Sequence, residues 1–130
     1  MLFRSTKDLQ LVADTSGAYV PGHGTPTVII VGRNQKQQSS TVRAVLGTRG
    51  EPGQPKDPAQ GLVWRSIAEN VHDTDFENKF VSITCVEARK FAFHPWSLVG
   101  GSAPRVSESI GSASTGKLAQ IGRASCRERV

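Results

Sequence analysis

The chain has 130 residues, 16 Lys+Arg against 11 Asp+Glu, a formal charge of +5 and 37% hydrophobic residues. That is enough for one ordinary domain. No apolar run approaches the roughly 18 residues of a membrane-spanning helix, and the opening MLFRSTKDLQ lacks the long apolar stretch of a signal peptide, so a soluble, cytoplasmic protein is the expectation. Two cysteines make no disulfide framework, and the modest positive charge permits contact with nucleic acid without requiring it.

In chain order, LQLVAD (Leu9–Asp14) and PTVIIVGR (Pro26–Arg33) read as strands, the second rich in β-branched side chains and expected to be buried on both faces. Between them TSGAYVPGHG carries three glycines and a proline, a loop that can join an antiparallel pair. NQKQQSS is polar turn material, and Thr41–Thr48 alternates well enough for a third strand. RGEPGQPKDPAQG, with three prolines and three glycines, predicts a long exposed connection without regular structure. Leu62, Val63, Ile67 and Val71 around Trp64 have helical spacing, which predicts a helix over Leu62–Val71. Phe80, Val81, Ile83 and Val86 mark another strand, running into an aromatic cluster of Phe91, Phe93 and Trp96 expected to belong to the core. GGSAP breaks it, and RVSESIGSASTGKLAQ reads as a weak helix opened by Pro104. The pattern is strands first, then helices and strands, α/β or α+β.

Several motifs stop short of chemistry. GSASTGKL (Gly111–Leu118) nearly matches a phosphate-binding loop, but Leu118 stands where a hydroxyl would hold Mg²⁺, and no apolar strand precedes it. His23, His72 and His94 lack a second ligand at metal-site spacing. Asp73, Asp75 and Glu77 are expected to be a solvated loop, and Cys85 a small buried hydrophobe. No residue is assigned a catalytic or metal-binding role.

The last ten residues are expected to have another origin. Spelled as codons, Ile121–Val130 (IGRASCRERV) resembles a common short-read sequencing adapter base for base, with the codon of Gln120 supplying the two bases in front. Removing this tail takes away three arginines, one glutamate and Cys126, leaving 13 Lys+Arg, 10 Asp+Glu and a charge of +3.

One stretch is more specific. DTSGAYVPGHGTPTVIIVGR, followed in order by TVRAVLGTRGEP, DPAQGLVW and FAFHPWSLVGG, resembles adenine-specific DNA methyltransferases, above all the PglX type of phage-growth-limitation (BREX) systems and the related type IIG restriction-methylases. The resemblance implies an α/β fold in which residues 1–50 end the catalytic domain, contributing the last antiparallel strand pair of its sheet. Residues 51–120 would be a mixed α+β connection into the DNA target-recognition region, and 121–130 the non-native tail.

It implies S-adenosylmethionine as methyl donor of the parent enzyme, DNA as substrate and phage defence as setting. In such enzymes an adenine leaves the stack and enters a pocket whose walls hold its faces. The loop Thr15–Thr25 would help wall that pocket, with Tyr19, Val20 and His23 as candidates; Val20 falls where small relatives carry their aromatic residue. Arg33, Lys36, Arg43 and Arg49 are candidates for DNA-backbone contact. The family's Asn/Asp-Pro-Pro-aromatic motif and donor-binding glycine loop are missing, since no two prolines are adjacent. The chain alone is therefore expected to be inactive and to bind no cofactor, its partner being the rest of the catalytic domain. A small standalone basic DNA- or protein-binding module is the alternative; it predicts polar exposed surfaces, whereas a segment of a larger sheet predicts an exposed apolar strand edge.

Overall fold

A computed structural model describes residues 7–93, 96–100 and 103–113. Five strands form one sheet: β1 (Asp8–Asp14), β2 (Val28–Arg33), β3 (Thr41–Gly47), β4 (Phe76–Glu77) and β5 (Val81–Glu87), in the order β2-β1-β3-β5-β4. β1 pairs antiparallel with β2, from Asp8↔Arg33 to Asp14↔Val28, as the glycine-rich loop between them suggested. β1 runs parallel to β3 (Val12↔Ala44), β3 antiparallel to β5 (Val45↔Ile83) and β5 antiparallel to β4. Helix α1 (Leu62–Asn70) precedes β4, and α2 (Ala103–Ala113) follows the sheet. The sheet is mixed, and strands from both sides of residue 50 share it.

Alternation along the strands divides the apolar side chains between two faces. On one, Ala13, Val45, Val81 and Ile83 pack with Phe80 and with Val63 and Ile67, the buried stripe of α1. On the other, Val12, Val42, Ala44 and Leu46 pack with Phe91, against which Trp96 and Leu98 also lie. Each fully buried Val or Ile here contributes about 1.5–3 kcal/mol by leaving water. Phe91 and Trp96 meet edge to face, ring centroids 5.2 Å apart at 81°.

Four expectations need correction. β2 is not buried on both faces: it is an outer strand, exposed along all six residues, because neither buried cluster extends over its faces among the described residues. Cys85 is exposed, since burial fades along β5 beyond the Val81–Ile83 end that α1 covers. Phe93 lies 79% exposed, outside the core that takes Phe91, and Leu62 faces solvent at the start of α1. The proline-rich connection contains one short 3₁₀ turn, Pro58–Gln60, capped by the Asp57 carboxylate accepting from the Ala59 N–H. The two-residue β4 had no period to betray it. Asp73, Asp75 and Glu77 are exposed, as expected of a solvated segment.

Candidate functional site

The loop between β1 and β2 is closed at its base by Thr15. Its N–H donates to the Thr27 carbonyl at 3.0 Å, and its hydroxyl donates to the same carbonyl at 3.0 Å while lying 2.8 Å from the Thr27 hydroxyl. The Asp14 carboxylate accepts from the Ser16 N–H, and Ala18 N–H donates to the Thr15 carbonyl, which winds the start of the loop into a turn. Gly22 has φ +68°, a conformation that L side chains adopt rarely, so the tip needs glycine there. Gly17 passes so close to Gly50 that a Cβ on it would stand 3.2 Å from the Gly50 Cα.

One residue ties this loop to helix α1. The Glu51 N–H donates to the Gly17 carbonyl at 2.8 Å. Its carboxylate accepts from the N–H groups of Leu62 and Val63, at 3.0 and 2.9 Å. The N-cap position, Gly61, has no side chain to do this, so Glu51 satisfies two of the donors every helix start leaves over. The loop and the start of α1 are thus braced from a single position.

Between the two braced elements lies an apolar cleft of about 470 Å³. Tyr19, Val20 and Pro21 enter it from the loop, Pro58 from the segment leading into α1, Trp64 from the first turn of α1 itself, and Ile29 from β2. Tyr19 and Trp64 are each half-buried, and Val20 is exposed. Two of the three sequence candidates, Tyr19 and Val20, therefore share one cleft. His23 is exposed and does not line it; its N–H turns back to the Val20 carbonyl. Trp64 and Glu51 were not singled out from sequence. Trp64 read simply as a helix residue, and a carboxylate eleven residues ahead of the helix it caps follows no local pattern.

The four basic candidates do not form one patch. Arg33 ends β2 beside Asp8, with Lys36 just beyond, whereas Arg49 follows β3 at the Asp14 end of the sheet. Seven residues of strand put those two ends about 20 Å apart. Arg43 sits mid-sheet, opposite Leu11 and Cys85, half-buried, and its Nε has no hydrogen-bond partner among the described residues. A second, more polar hollow of about 300 Å³ lies at the Asp14 end, with Asp14, Gly17, Thr48 and Arg49 in its wall.

Among the described residues no group of His, Cys, Asp and Glu could hold a metal ion, and no helix is long and apolar enough to cross a membrane. Of GSASTGKL, Gly111–Ala113 lie inside α2 and the remainder outside the described residues, as do His94 and the 121–130 tail.

With the geometry in place, the likeness seen in the motifs has a measure. Over 115 residues the chain is 41% identical to the adenine-specific methyltransferase PglX of Streptomyces coelicolor, an alignment taking in 86% of this chain and 9% of that protein. The resemblance to the PglX type is borne out. The chain spans under a tenth of that relative's length. No family model and no solved structure matches.

Proposed function

We propose that this chain is a segment of a PglX-type DNA adenine methyltransferase, reaching from the end of the catalytic domain into the start of the target-recognition region. The observation that carries this is the 41% identity over nearly the whole chain. The open edge of β2 supports it: Val28, Ile29, Ile30 and Val31 are each 40–45% exposed, an apolar run suited to a strand with neighbours on both sides. A standalone module would be expected to blunt such an edge with charge or proline. On this reading the rest of the catalytic domain is the partner, and one of its strands pairs with β2. Residues 1–50 are the catalytic part and 51–120 the connection that leaves it, β5 being laid on the catalytic sheet before the chain departs.

In the parent enzyme S-adenosylmethionine supplies the methyl group. What this chain contributes is one wall of the space that receives the extruded adenine, with Tyr19 and Val20 in the cleft and His23 on the same loop outside it. The basic residues Arg33, Lys36, Arg43 and Arg49 contribute at most separate contacts to the DNA backbone, given their spread over the sheet. Phage defence, in the manner of BREX or restriction systems, is the setting we propose for the parent.

The test is to sequence the locus across both ends of this frame, express the complete protein, and follow radiolabelled methyl transfer to DNA adenine. The complete protein is expected to carry an Asn/Asp-Pro-Pro-aromatic motif upstream of Met1 and to methylate; the 130-residue chain alone is expected to transfer nothing. Methylation by the short chain, or a locus without that motif, overturns the proposal.

A further inference from the structure

We propose that Trp64 forms the second aromatic wall of the target-base pocket, holding one face of the extruded base from helix α1 while Tyr19 holds it from the loop. This rests on the methyltransferase reading above and adds to it a residue 45 positions away from Tyr19 along the chain.

Three observations lead to it. The cleft is lined by two aromatic side chains from separate elements, both half-buried and so still presenting ring surface. At about 470 Å³ it lies within the range of small-molecule sites, about 300–1,000 Å³. Its lining is almost wholly apolar, and of its three hydroxyls two are already engaged, Thr15 donating to the Thr27 carbonyl and the Thr15 and Thr27 hydroxyls bonding each other, which leaves the Tyr19 hydroxyl and the Trp64 indole N–H.

That chemistry selects among occupants. A peptide segment laid in the cleft would bring an N–H and a C=O for every residue, more than the Tyr19 hydroxyl and the Trp64 indole N–H of this lining can partner. A base inserted edge-outward puts only its π-faces against the walls and leaves its polar edge to groups elsewhere. Aromatic walls bind such faces without reading their identity. The cleft is thus a face-holder, and the choice of adenine over other bases lies outside it. Glu51 fixes the spacing of the two walls, because its backbone holds the loop at Gly17 and its carboxylate holds the first turn of the helix carrying Trp64.

The experiment uses the complete enzyme and a duplex with 2-aminopurine at the methylated position, whose fluorescence rises on leaving the stack and is quenched against an aromatic ring. Trp64→Ala and Trp64→Leu are compared with wild type, Leu keeping apolar bulk without a π-face, and Trp64→Phe serves as rescue. Loss of one stacking wall is expected to weaken DNA binding about tenfold. It should appear as a raised KM, with brighter 2-aminopurine in the bound complex and an unchanged methylated sequence; Phe should restore both. Wild-type fluorescence and KM in Trp64→Leu, in an enzyme that still methylates adenine, overturn the role of Trp64 alone. A lower melting temperature in Trp64→Leu with an unaltered 2-aminopurine signal also overturns it, and assigns the cleft to another part of the polypeptide. If the wild-type enzyme neither methylates adenine nor unstacks the probe, the methyltransferase reading fails and this proposal goes with it.

Discussion

The two edges of the sheet are finished differently. At one, β4 is only two residues long, Phe76–Glu77, and is approached through the exposed Asp73 and Asp75. A short strand flanked by charge is a common way to stop a sheet from growing. At the other, β2 runs for six residues, and Val28 to Val31 offer β-branched side chains to solvent on both faces with no charge among them. The first edge ends a sheet; the second has the composition of a strand inside one. Alternation of burial, usually the best guide to a strand's place, fails at β2 because all six of its residues are exposed and, among the described residues, only β1 pairs with it.

The sharpest way to break this comparison is one substitution made on either side of it. Ile83→Ala removes a side chain that is 0% exposed from the centre of the α1-covered core and should cost about 2–5 kcal/mol by chemical denaturation. Ile30→Ala, pairing with Val12 on β1, should cost the 130-residue chain less than about 1 kcal/mol, close to a surface change. If the complete protein pairs β2 on both sides, as proposed, Ile30→Ala should there rise into the range of Ile83→Ala. Equal small costs for Ile30→Ala in both contexts would mean that β2 is a true outer edge.

A smaller effect probes the brace that joins the cleft to the finished side. Glu51→Ala removes the carboxylate that accepts from the Leu62 and Val63 N–H groups, and should cost about 0.5–2 kcal/mol, the range for losing a helix cap. Glu51→Gln keeps one acceptor oxygen and should recover part of it. In the complete enzyme Glu51→Ala should also weaken DNA binding, since the spacing of Tyr19 and Trp64 depends on it. Loss of stability with unaltered DNA binding would separate the cap from the cleft.

Most elements were legible because their periods are local. Ile83 alternates with polar neighbours, Val12 and Val45 sit in short apolar runs of strand length, and Val63 and Ile67 repeat at one helical turn, so β1, β3, β5 and α1 stand within a residue or two of their expected bounds. The environment of β2 was not legible, because a run of β-branched residues states what a strand needs and not what lies beside it. Tyr19 and Val20 could be picked out from a single loop. The cleft they share with Trp64 could not, for it is made by a connection rich in proline and glycine whose path follows no period. Arg33 and Arg49 illustrate the same limit: both flank strands in the sequence, yet the chain traverses the sheet between them and leaves them at opposite ends.

The smallest predicted effect concerns Asp8, at the end of β1 far from the cleft and next to the open edge. Its carboxylate is buried, accepting from the Gln38 backbone N–H at 3.1 Å and the Gln35 side-chain amide at 3.1 Å, with Gln10 at 3.5 Å. The Gln38 N–H, helped by these amides, holds the carboxyl below its ordinary value of 3.8 against the opposing cost of desolvation. A carboxyl depressed in the folded state adds stability above the unfolded value and loses it as pH falls through the folded one. Melting temperature should therefore drop as the buffer is taken below the ordinary value, and Asp8→Asn should flatten that part of the profile. The residue fastens the turn from β2 to β3 through Gln35 and Gln38, so the acid-sensitive contact belongs to the open side of the sheet. If Asp8→Asn leaves the acid limb of the melting profile unchanged, this carboxylate does not hold the turn, and the acid lability must be sought at the other, finished edge.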